Sequence, residues 1–147
     1  MFTRIVVGTD GSDTAGQAVD QAIDLAKISN ATLEIVSAFQ PVPKRRVQGE
    51  EEGAPADIAH EIGPREDVNL VLDAAAAKAR AAGVEVKTHP VQDDPADAIL
   101  NVAEETKADL VVVGNKGMTG ARRYLLGSVP NNISHHAPCS VMIVQTT

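Results

Sequence analysis

Aromatic residues are nearly missing from this 147-residue chain, which has no Trp, one Tyr and two Phe. Its core must therefore be filled by Ala, Val, Ile and Leu, which supply most of the 44% apolar content. Only Cys139 carries a thiol, which excludes an internal disulfide framework and a Cys-rich zinc site and suits a reducing compartment. Cations are also short, with 13 Lys and Arg against 20 Asp and Glu and a formal net charge of -7. That balance disfavours broad affinity for nucleic acid or for an anionic membrane, both of which need a basic footprint. No run approaches 18 unbroken apolar residues, and the opening MFTRIVVGTD has no long apolar leader segment. The expectation is one cytoplasmic domain over residues 1–147.

What is present alternates regularly. Ile5-Val6-Val7 and Leu110-Val111-Val112-Val113 are unbroken apolar runs that end in Gly8 and Gly114, as strands covered on both faces do. Further β-rich runs lie at 31–38, 84–91 and 141–144, making five strands separated by helical patterns. Thr14 and Gln17 form a candidate capping box for a helix with Ala15, Ala18, Val19, Ala22 and Ala26 on one face. A second stripe, Val68, Val71, Leu72, Ala75, Ala79 and Ala82, stops at Gly83. Asp94-Pro95 offers N-cap and first-turn residues for a third helix burying Ile99, Val102 and Ala103. A fourth helix is expected from Ser128 to before Pro138. This alternation predicts an α/β, doubly wound parallel sheet with helices on both faces, with ligands beyond the carboxyl ends of its strands. The polar stretch 39–64, rich in Pro, Gly and charge runs, reads as a mobile loop within the domain.

After the fourth strand the chain reads Gly114-Asn115-Lys116-Gly117-Met118-Thr119-Gly120-Ala121-Arg122-Arg123-Tyr124-Leu125-Leu126-Gly127-Ser128, a Gly-x2-Gly-x9-Gly-Ser spacing. Glycines let backbone amides approach a phosphate, and Gly127-Ser128 at a helix start adds N–H groups, a hydroxyl and the positive end of the dipole. Lys116, Arg122 and Arg123 supply local cations that an acidic surface needs to hold a triphosphate. The plainer reading is that these glycines only shape a turn and Gly127-Ser128 only caps a helix. Neither the Walker-type phosphate loop nor the dinucleotide fingerprint occurs. Asp10 follows a central strand, where contact with ribose, or with Mg²⁺ on the phosphates, competes with a turn-forming role. His135-His136 point about 100° apart on a helix and cannot easily share a metal. His60 and His89 read as ordinary surface residues, and Cys139 as a small packed thiol.

Gly8-Thr9-Asp10-Gly11-Ser12 after an opening strand, the Ala108-Asp109-Leu110-Val111-Val112-Val113-Gly114 approach, the full glycine spacing and the closing Ser140-Val141-Met142-Ile143-Val144 strand together resemble the universal stress protein family, in its ATP-binding branch. The likeness covers the whole chain except the 39–64 loop. It implies a Rossmann-like sheet of order 3-2-1-4-5 with an adenine nucleotide between the first and fourth strands. Carried over by position, it places Gly8, Thr9 and Asp10 beside the nucleotide and Ala38 at adenine. Val113, Gly114, Asn115, Lys116, Gly117 and Met118 follow at the ribose and first phosphate. Gly120, Arg122, Arg123, Gly127, Ser128, Val129 and Pro130 lie around the phosphates. Pro130 stands where many relatives carry a small hydroxyl residue, and Asp94 where glycine is common. The resemblance also implies a homodimer through Ser140 to Val144, whose run lacks proline and charge. The expected function is an ATP-binding stress-response or signalling module, sensed by an unidentified protein partner and not an enzyme. The alternatives are cyclic AMP in the same site, or a slow ATPase or autophosphorylating protein with Asp10 on metal and Ser128 or Thr119 as acceptor.

Overall fold

The computed structural model describes residues 2–39, 64–115 and 128–146. Five strands form one sheet: β1 (Arg4–Gly8), β2 (Thr32–Phe39), β3 (Val86–Gln92), β4 (Leu110–Gly114) and β5 (Ser140–Val144). Between them come α1 (Asp13–Ser29), α2 (Pro64–Ala81), α3 (Pro95–Thr106) and α4 (Ser128–His136). The sheet order is β3-β2-β1-β4-β5 and every pairing is parallel, as the sequence predicts. Residues 40–63, within which almost all of the expected loop falls, lie outside the described set.

The period of two along each strand divides the core into two layers. Ile5, Val7, Leu33, Ile35, Leu110 and Val112 face α1 and α2, meeting Ala18, Val19, Ala22, Ile23 and Ala26 of the first and Val68, Leu72, Ala75 and Ala79 of the second. Val6, Val36, Val111 and Val113 face the other way, onto Ala96, Ala98, Ile99, Val102 and Ala103 of α3 and Ile133 of α4. Small alanines on the helices against branched residues on the strands let the layers approach closely, which compensates for the missing aromatics.

The helix ends follow the expected chemistry with one correction. Asp94 caps α3 by accepting from Ala96 N, with Pro95 in the first turn, and Gly83 after α2 has φ of +81°. At α1, however, the cap is Ser12, whose Oγ accepts from Ala15 N at 3.2 Å. Thr14 already lies inside the helix, so the Thr14/Gln17 capping box does not form. The Asp10–Ser12 turn brings Ser12 to the helix start two residues earlier than hydrophobic spacing suggests.

Two polar features inside the sheet went unread. Glu34 in β2 is fully buried, its carboxylate held by Arg4 Nη1 at 2.9 Å and by His89 Nε2 at 2.6 Å. His89 is therefore part of a charged cluster on the sheet and not an ordinary surface residue. Asp109 joins the start of β1 to the entry of β4, accepting from Thr3 N at 2.8 Å, Arg4 N at 3.1 Å and Thr3 Oγ1 at 3.1 Å. Partial burial pushes its carboxyl upward, but these hydrogen bonds together outweigh that and hold it below the ordinary 3.8. Among the described residues no helix is long and apolar enough to cross a membrane.

Candidate nucleotide site

The sheet order reverses between β1 and β4: from β1 the chain moves outward to β2 and β3, and from β4 to β5 on the other side. At such a switch point the connecting loops part and leave a crevice beyond the carboxyl ends of the strands. Here the crevice is lined by Gly8, Thr14, Ala15, Ile99, Val113, Gly114, Val129, Pro130 and Thr146 around a cavity of about 50 Å³.

Two helices begin at this cavity. The first turn of α1 brings Thr14 and Ala15, and the first turn of α4 brings Val129 and Pro130. Both present the positive end of the helix dipole and first-turn N–H groups that have no intrahelical acceptor. Pro130 lacks an N–H where none is needed for the helix, so its ring fills space at no hydrogen-bond cost.

Close approach explains the two strand-ending glycines. A Cβ on Gly8 would collide with Ile99 Cδ1, and one on Gly114 would lie 3.3 Å from Thr146 Cγ2 and 4.0 Å from the Thr14 carbonyl oxygen. Glycine at each position leaves room for Ile99 and Thr146 to pack against the strand ends.

The β1–α1 turn is tightly tied. Thr9 N donates to the Val36 carbonyl at 2.9 Å, Thr9 Oγ1 accepts from Gly11 N at 3.1 Å, and Asp10 Oδ1 accepts from Ser12 N at 2.9 Å. Asp10 thus forms the Asx turn that stood as the alternative to ligand contact. Among the described residues no group of three or more His, Cys, Asp or Glu is placed to hold a metal. His135 and His136 lie with ring centroids 6.4 Å apart.

Ala38 is placed by strand parity. Val36 directs its carbonyl toward β1, accepting from Thr9 N, and groups repeat their direction every second residue. Ala38 therefore turns its backbone N–H and C=O to the same side, beyond the point at which β1 has ended.

Of the residues expected at the site, Gly8, Val113, Gly114, Val129 and Pro130 come together on the cavity wall. Asn115 and Ser128 adjoin it in the chain, whereas Thr9, next to Gly8, lines a second cavity between α1 and α2, and Asp10 lies in the turn that follows. Lys116, Gly117, Met118, Gly120, Arg122, Arg123 and Gly127 lie outside the described residues. Sequence reasoning missed Thr14, Ala15, Ile99 and Thr146. The helix start after Gly8 could have pointed to the first two, whereas Ile99 and Thr146 arrive by long-range packing with no local signal.

The universal stress protein family model matches residues 1–145. A universal stress protein of Mycobacterium tuberculosis H37Rv is 39% identical over 151 aligned positions, spanning 99% of this chain and 98% of that protein. One from Bacillus subtilis is 33% identical over 99% of this chain and 100% of its own length. The crystal structure of a universal stress protein in complex with cAMP superposes with a TM-score of 0.73 at 37% identity, over 99% of this chain and 98% of that one. With the family model matched over residues 1–145 and relatives at 33% and 39% identity along its length, this chain belongs to the universal stress protein family.

Proposed function

We propose that the chain binds an adenine nucleotide, ATP in the first instance, in the β1/β4 crevice, and acts as a nucleotide-dependent stress-response or signalling module. The observation that carries this reading is the convergence of two helix N-termini, α1 and α4, on one cavity at the switch point. Phosphates meet the α4 start at Ser128 and Val129 and the backbone of Gly114, while the adenine edge meets the backbone of Ala38. Lys116, Arg122, Arg123 and the remaining glycines of the Gly-x2-Gly-x9-Gly-Ser spacing supply charge and close backbone approach. Mg²⁺ enters on the phosphates, with Asp10 as the one carboxylate from the β1–α1 turn near it; one or two carboxylates suffice for this ion.

The proposed role is nucleotide binding, with any hydrolysis slow. Among the described residues the side chains lining the cavity are hydroxyl-bearing or apolar, and the carboxylate proposed near the phosphates, Asp10, already accepts from Ser12 N in its turn, which supports binding over rapid turnover. A second reading, cAMP in place of ATP, is favoured by the relative solved with cAMP. In either case the exposed Met142 and Ile143 on edge strand β5 fit a homodimer through Ser140 to Val144.

Mass spectrometry of the nucleotide released from freshly purified protein distinguishes ATP from cAMP. The reading expects ATP, recovered intact, with phosphate release far below the roughly 10 s⁻¹ typical of enzymes. Phosphate release at that rate, silenced by Asp10→Ala, would establish an enzyme instead.

A further inference from the structure

The cavity wall includes one residue from beyond the last strand. Thr146 is 7% exposed and stands beside Gly114, with its Cγ2 near the space where a Gly114 side chain would sit. Among the described residues its side chain is held by Asn115. Asn115 Oδ1 accepts from both Thr146 N and Thr146 Oγ1, each at 2.9 Å. The clasp is completed from the other direction, since Asn115 N donates to the Val144 carbonyl at 2.9 Å, continuing the β4/β5 ladder past Gly114↔Val144.

This arrangement is more than strand pairing. Asn115 is the residue at which β4 leaves the sheet and the glycine-rich segment begins. A side-chain amide that accepts twice from one residue fixes both its own rotamer and the backbone leaving β4. At the same time the clasp sets the Thr146 methyl against Gly114. Thr146 is therefore positioned by the Asn115 amide oxygen, while the Asn115 N–H on the Val144 carbonyl holds the exit of β4 beside it.

We propose that Asn115 and Thr146 are positioning residues for the nucleotide: the clasp fixes the exit of β4 so that the Gly114 backbone meets the phosphates. This inference rests on the nucleotide reading and gives Asn115 a different task from direct ligand contact. It also makes the site depend on residues that follow the edge strand.

Titration calorimetry with ATP on the full chain tests it, with a thermal melt of each variant. Thr146→Ser keeps the hydroxyl and the backbone donor and is expected to bind within twofold of wild type. Thr146→Val keeps the shape but loses the Oγ1 hydrogen bond, and is expected to weaken ATP about fivefold, the worth of one such bond. Asn115→Ala loses both and is expected to weaken ATP at least about tenfold. Comparing each variant's melt with its ATP affinity separates positioning from mere stability. Variants that melt lower yet bind ATP as wild type does would overturn the proposal, as would a Thr146→Ser loss equal to that of Thr146→Val. A wild-type protein that binds neither ATP nor cAMP would instead remove the nucleotide reading beneath it.

Discussion

Asp109 shows how much one side chain settles at a sheet margin. Its two oxygens take three hydrogen bonds from Thr3 and Arg4, and its own N–H donates to the Arg4 carbonyl at 3.0 Å. With the folded carboxyl held below its ordinary 3.8, ionisation favours the folded state. That contribution is fully present above the unfolded value and is lost as pH falls through the lower folded one. Urea denaturation across pH is expected to show Asp109→Asn less stable than wild type at neutral pH, with the gap closing in acid. A gap independent of pH would contradict this. The residue scale is also where the sequence proved hardest to read. Thr14 and Ser12 are both good capping types, and only the Asx turn of Asp10 decides for Ser12. Gly83 and Asp94, by contrast, were legible because left-handed backbone and a Pro at the following position each leave few alternatives.

At the scale of elements, periodicity carried the reading. Among the described residues, the strands and the first three helices lie close to where apolar runs and stripes place them, and the last helix lies between Ser128 and Pro138 as its flanking residues indicate, because a buried parallel strand and an amphipathic helix each have one way to hide their apolar side. Glu34 breaks that pattern: a fully buried acid within the apolar β2, invisible as a cluster because Arg4 and His89 come from neighbouring strands. The cluster makes an asymmetric prediction. Arg4→Met leaves a buried carboxylate with only His89 beside it and is expected to cost ~3 kcal/mol or more, whereas Arg4→Met with Glu34→Leu is expected to recover most of that loss. Chemical denaturation of both variants checks it, and a double variant no better than the single would show that the ion pair itself, not the stranded charge, holds these strands. At the site, elements explain what was legible and what was not. Gly8 and Gly114 end unbroken strands and announce the switch point, but Ile99 reaches Gly8 across the sheet from α3 and Thr146 reaches Gly114 from beyond β5.

Among the described residues the molecule has a crevice at the β1/β4 switch point and an edge strand at β5. Met142 and Ile143 are 37% and 39% exposed on that edge, and pairing with the same strand of a second copy would cover both apolar side chains and unpaired backbone groups. Met142→Lys and Ile143→Pro are each expected to give monomers by light scattering across a concentration series, the proline also deleting a ladder donor. A wild type monomeric at tens of micromolar would rule the interface out. The central claim, that adenine nucleotide lies in the crevice, is tested most directly by amide chemical shifts during titration of the wild-type chain with ATP. The account predicts that Gly8, Ala38, Gly114, Asn115, Ser128 and Val129 move, while Thr3, Arg4 and Asp109 at the opposite end of the sheet stay. Saturable shifts confined to the separate cavity of about 340 Å³ between α1 and α2, around Gly16, Val71 and Lys78, or no shifts with ATP or cAMP, would contradict it.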